Sequence, residues 1–172
     1  MTKGRITPVA LPLVLLASCA MAGDNSSPWT LGVDEEVTWE SVQVLSQTSA
    51  DSIADENGND GARPTISLRC TAGDSTTLEL RIDWQRFISS FNTEAGFKVD
   101  DGKRDWFDFR VDDSNRITIA RRASDVGTLI DALNEGSQLN VEIIPYSENA
   151  TRVTFDLNGF TAGLESLRGA CR

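Results

Sequence analysis

Between Thr65 and Trp84 the chain alternates apolar and polar residues almost without interruption, a pattern that no surface helix satisfies. Ile66, Leu68 and Cys70 alternate with Thr65, Ser67 and Arg69. After a turn signal at Ala72-Gly73-Asp74, Leu78, Leu80, Ile82 and Trp84 alternate with Glu79, Arg81 and Asp83. Successive side chains of a strand point to opposite faces, so period two puts one set in a core and the other in water. The segment therefore predicts a half-buried antiparallel hairpin. The pattern recurs downstream. Phe97 and Val99 lead to the turn Asp100-Asp101-Gly102, and Trp106 to Val111 lead to the turn Asp112-Asp113-Ser114-Asn115. Ile117 and Ile119 follow, and later Leu139, Val141 and Ile143, then Val153, Phe155 and Leu157. Short strands spaced by turns predict a mainly β chain, an antiparallel β-sandwich or barrel-like domain.

Two segments depart from this period. Val126, Leu129, Ile130 and Leu133 have helical spacing, with Ser124 as N-cap and Gly136 as stop. Phe160, Leu164 and Leu167 at i, i+4, i+7 predict a short final helix after the turn Asn158-Gly159. Upstream of the hairpin, Val37, Trp39 and Val42 to Val44 suggest a first strand or strand pair. Residues 46–63 keep only Ile53 as a large apolar side chain and read as a long mobile acidic loop.

The cysteines divide into two unlike groups. Residues 1–22 have the form of a bacterial secretory signal: Lys3 and Arg5, then an apolar stretch from Val9 to Ala17, shorter than the ~20 residues a membrane span needs. Two processing routes fit its end. Ala20-Met21-Ala22 suits ordinary cleavage, and Leu16-Ala17-Ser18-Cys19 suits a lipobox, in which Cys19 becomes the lipidated first residue. The bland alternative is that Cys19 is discarded with the signal. Residues 23–28 then form a linker, and 29–172 a single β-rich periplasmic domain. In an oxidising compartment Cys70 and Cys171 are expected to form a disulfide. With Ala20 rather than Asp after Cys19, a lipid anchor would place the domain on the periplasmic face of the outer membrane.

Composition removes several function classes. The net charge of −10 becomes −12 once Lys3 and Arg5 leave with the leader. Such a surface repels phosphate backbones, so nucleic acid is not an expected partner. The chain has no histidine, which removes Ser-His-Asp and Cys-His nucleophiles and most zinc sites. Paired carboxylates remain, but Asp100-Asp101 and Asp112-Asp113 sit at turns, where Asp serves the backbone. The loop from Asp55 to Gly61 looks like a calcium loop only superficially. Its sixth position is Asp60 and its twelfth Ile66, where an EF-hand needs Gly and Glu. We expect no catalytic residue, no metal and no cofactor. Trp106 stands on the strand face opposite Phe107 and Phe109, beside Arg104 and Asp108, and is the candidate ligand contact. Its bland alternative is a second packing layer.

Several stretches together resemble the VasI/TagO family of type VI secretion accessory proteins. They are Pro64 to Cys70, Thr76-Thr77-Leu78 with Trp84, Val99 to Gly102 with Trp106, and Phe155 to Gly159 with Leu164, Leu167, Arg168, Ala170 and Cys171. The resemblance runs from about Trp29 to Cys171 and implies an exported, disulfide-linked β-rich domain with a role in secretion and no catalytic residues. This sequence departs from that family in two ways: the leader runs straight into the domain, and Arg172 rather than Trp follows Cys171. The expectation is a non-enzymatic envelope protein that binds another envelope protein, with membrane contact only through lipidated Cys19. The alternatives are a carbohydrate- or calcium-binding periplasmic module and a purely structural lipoprotein.

Overall fold

A computed structural model describes residues 27–34, 41–74 and 77–172. The leader with Cys19, and Val37 and Trp39 of the expected first strand, lie outside the described residues. Strands β1 (Thr30–Asp34), β2 (Val42–Thr48), β5 (Thr65–Thr71), β6 (Glu79–Asp83), β7 (Thr93–Val99), β8 (Asp105–Val111), β9 (Ile117–Ala120), β10 (Gln138–Ile143) and β11 (Thr151–Asp156) form one antiparallel sheet. Its order is β1-β2-β5-β6-β9-β8-β7-β10-β11. Helix α1 (Ala123–Glu135) is inserted between β9 and β10, and α2 (Phe160–Ala170) ends the chain. The mainly β antiparallel class, the inserted helix and the disulfide-tied final helix are as the sequence predicts. The sheet does not close into a barrel, because β1 and β11 are not paired.

Alternation becomes packing through register. Leu45, Leu68 and Leu80 stand opposite one another across β2, β5 and β6, and Phe97, Val141 and Val153 do so across β7, β10 and β11. These rows lie in one core with Trp84, Phe109 and the buried faces of both helices. Four core positions of α1 are Val126, Leu129, Ile130 and Leu133, as its spacing predicts. Its N-cap is Arg122 rather than Ser124, and no side chain caps it. Helix α2 lies close on the sheet: a Cβ at Gly163 would stand 2.8 Å from a Leu45 methyl, so only glycine allows that approach. Cys70 of β5 and Cys171 at the end of α2 are joined by a disulfide, with Cα atoms 6.2 Å apart.

Residues 46–63 are not the long loop their composition suggests. Ser46 to Thr48 complete β2, and β3 (Ile53–Ala54) pairs with β4 (Asp60–Ala62) in a small second sheet. Local hydrogen bonding replaces the missing apolar residues. The Asp55 carboxylate accepts from the Asn57 and Asn59 backbone N–H groups at 2.8 Å each, and Gly58 takes φ 80°. Arg86, 3% exposed, then anchors the hairpin. It donates to the Ala54 carbonyl at 2.7 Å and to both Glu148 carboxylate oxygens at 2.6 Å.

The two ends of the sheet meet through side chains. Trp29 Nε1 and Gln47 Nε2 both donate to the Asp156 carbonyl, at 3.0 and 2.9 Å. Ser49 Oγ donates to the Thr154 carbonyl at 3.0 Å, and the Thr154 N–H donates to Asp51 at 2.9 Å. The Thr154 N–H and C=O and the Asp156 C=O of β11 are thereby satisfied without a neighbouring strand. The sheet curls into an open cylinder with a polar seam.

Candidate functional site

Trp106 stands on the outer face of the sheet. Gly96 of β7 is its register partner, and the two residues explain each other. A Cβ at Gly96 would stand 2.6 Å from Arg104 Cδ and 3.0 Å from Trp106 Cε2, so both side chains lie directly over the bare backbone. Beneath, on the inner face, Phe97 meets Phe107 edge-on and stacks with Phe109, at centroid distances of 5.9 and 5.8 Å. The indole is 42% exposed while Phe109 is fully buried.

A charged network holds Arg104 beside this indole. Glu142 of β10 is only 7% exposed, although it is an outer-face carboxylate. Arg104 Nη1 lies 2.8 Å from its Oε2, and Arg152 Nε donates to it at 2.5 Å. Arg104 Nη2 also donates to Asn140 Oδ1 at 2.6 Å. A carboxylate held by two guanidiniums is neutralised where it is buried, and the fork of Arg104 cannot turn away without losing both acceptors. Sequence reasoning placed Trp106 and Arg104 together but missed Glu142 and Arg152. Their cross-strand register supplies the signal, since Glu142 stands opposite Arg152 across the β10–β11 hairpin.

The first member of each candidate carboxylate pair caps its turn. Asp100 accepts from Ser137 Oγ at 2.6 Å and from the Gln138 N–H at 2.9 Å. Asp112 accepts from Ser114 Oγ at 2.7 Å and from the Ile117 N–H at 3.1 Å. The Ser137 hydroxyl, followed by the Ser137 and Gln138 backbone N–H groups, holds the Asp100 carboxyl below its ordinary value. A depressed folded value means the stabilisation is full above about pH 4, the unfolded value, and is lost as pH falls through the folded value. Asp100→Asn suits the φ of 48° at this position. Its urea midpoint is expected to lie below that of the parent at neutral pH, with the gap closing in the acid range. A gap independent of pH would show that the charge is not what stabilises the turn. Among the described residues, no group of three or more His, Cys, Asp or Glu could hold a metal ion. None of their helices is long and apolar enough to cross a membrane.

Fold and site define a disulfide-tied, open-cylinder β domain with a half-exposed aromatic side chain on its outer face. Residues 90–168, from the approach to β7 through most of α2, match the model of the invasion associated locus B (IalB) protein family. The fold is similar to the crystal structure of invasion associated protein B from Bartonella henselae. The TM-score is 0.53 at 14% sequence identity, over 83% of this chain and 92% of that one. No curated protein matches the chain. The match to the IalB family overturns the resemblance to type VI secretion accessory proteins, because it covers the same Asp100-Asp101-Gly102, Trp106 and Phe155 to Gly159 stretches. Apart from the exposed Trp106, those stretches supply a turn cap at Asp100 and core positions such as Phe155 and Leu157, so they report architecture rather than a secretion role.

Proposed function

We propose that this chain is an exported, non-enzymatic protein that works by binding a protein partner through the outer face centred on Trp106. One observation carries the reading: a large, half-exposed aromatic side chain lies with Arg104 over the bare backbone of Gly96, and Arg104 is itself held by Glu142 and Asn140. A free tryptophan on a surface loses rotamer freedom when it binds. One packed over the Gly96 backbone has less of it to lose, and tryptophan and arginine dominate the energetics of protein interfaces. Similarity to an invasion-associated protein and the signal-like leader support an exported setting. The absence of histidine supports a binding role over hydrolytic chemistry.

The test is co-purification from detergent-solubilised envelopes and culture medium, followed by titration of the partner recovered. Trp106→Ala is expected to weaken binding about 30-fold, in line with a loss of ~2 kcal/mol at an interface hot spot. Gly96→Val, which displaces the indole and Arg104 without removing either, is expected to weaken it as well. Both variants should keep the parent circular dichroism spectrum. Equal recovery of the same partner by Trp106→Ala would overturn the reading. A thermal shift with glycans that Trp106→Ala abolishes would replace the protein partner with a carbohydrate.

A further inference from the structure

The seam between the two ends of the sheet is also a groove of about 1030 Å³. Its walls come from the end of β2 and the residues after it, the free edge of β11 and the turns at 100–101 and 137–138. The charge is one-sided. Asp51, Asp100, Asp101 and Asp156 line the groove, and Arg63 is the cation among its lining residues. None of these four carboxylates forms a salt bridge among the described residues. Three of them already use oxygens on backbone N–H groups, which fixes where the negative charge sits.

A second feature is independent of this charge. Gln47 lines the same groove and is 4% exposed. Its Nε2 is committed to the Asp156 carbonyl, while its Oε1 is buried with no donor. Buried acceptors are nearly always paired, so an orphan beside an acidic groove marks a place where a donor is missing. Gln47 bonds Asp156 and Asp51 bonds Thr154, two residues earlier on β11. Those two β11 residues are about 7 Å apart along the strand, so Gln47 and Asp51 meet the groove wall at separate points. A single metal ion would need several carboxylates on one point, and no such group exists among the described residues. A chain of spaced ammonium groups fits charges separated along the groove.

We propose that the seam groove binds an extended polycation, with one ammonium donating to Gln47 Oε1 and others paired with Asp51, Asp101 and Asp156. This site is separate from the Trp106 platform, and its failure would leave that reading untouched. The chemistry is a primary ammonium chain, supplied by a free polyamine or by a lysine-rich peptide segment.

The test is calorimetric titration of the disulfide-intact protein with spermidine, with tetralysine and with tetralysine acetylated on every amine. Saturable binding of spermidine or tetralysine, absent for the acetylated peptide, is expected. Binding of one alone identifies the source. Asp51→Asn with Asp101→Asn keeps the Asp51 oxygen for the Thr154 N–H and should weaken binding about tenfold. The matched charge loss Asp125→Asn with Asp131→Asn on α1 should leave it unchanged. Gln47→Leu should weaken it further at equal net charge. Equal weakening by the α1 pair would reduce the effect to general acidity. That result, or no saturable binding by either polycation, would overturn the proposal.

Discussion

Removing the Cys70–Cys171 disulfide, by reduction or by Cys70→Ser with Cys171→Ser, is expected to lower the unfolding free energy by about 4–5 kcal/mol. The figure follows from the sequence separation of 101 residues, which the bridge closes in the unfolded chain. Such a loss corresponds to roughly 10–18 °C in melting temperature for a domain of this size. Local packing should make the damage visible first at the C-terminus. The Cys171 carbonyl accepts from the Gly73 N–H at 2.8 Å, and Leu164 and Leu167 of α2 are buried against the same core. Hydrogen exchange in the double variant should therefore rise throughout α2 before the central strands are affected. The measurement is thermal unfolding with and without reductant. A midpoint that reductant leaves within 3 °C would contradict the staple.

Trp84→Ala is expected to cost about 3–5 kcal/mol, the range for deleting a fully buried large aromatic. Trp84 has no exposed surface, although it lies one residue beyond β6. Its backbone N–H donates to the Arg116 carbonyl at 3.1 Å, and its Nε1 to the Thr118 hydroxyl at 2.9 Å. Thr118 is itself fully buried, so the indole satisfies a polar group inside the core. Trp84→Phe removes the indole donor and part of the ring while the Thr118 hydroxyl keeps its bond to the Ile82 carbonyl, and should cost less, about 1–3 kcal/mol. Urea unfolding separates the two. A Trp84→Ala variant within 1 kcal/mol of the parent would remove this ring from the account of the core.

These two residues also show what the sequence makes legible. Trp84 extends the Leu78, Leu80, Ile82 alternation, so its burial follows from period two alone. The hairpin of β5 and β6, the turns at Asp100 and Asn115, the helix faces and the Cys70–Cys171 pairing are read the same way, from local pattern or compartment chemistry. Alternation reports which face a residue occupies but not which strand lies beside it. It therefore gives no hint that β9 pairs with β6, or that β7 lies between β8 and β10. Composition also misleads at residues 46–63, where Asp55 and Gly58 build a hairpin without apolar residues. The platform was half legible. Trp106 and Arg104 are close in sequence, whereas Glu142 and Arg152 come from the far end of the chain and read as ordinary solvated charges.

The seam is the least legible feature. Gln47, Ser49 and Asp51 alternate along one short stretch that reads from sequence as the start of a mobile loop. Only the curl of the whole sheet brings them to Thr154 and Asp156, where they replace a missing strand. That arrangement satisfies edge groups of β11 that a further strand would otherwise take.

The central claim is that this outer face makes the functional contact. It is tested most directly by placing a photo-crosslinking residue at position 106 in cells that export the protein, with Ala132 on the exposed side of α1 as the control position. A discrete adduct from position 106 that is absent from position 132 is the predicted result. No adduct from position 106, or the same adducts from both positions, would contradict it.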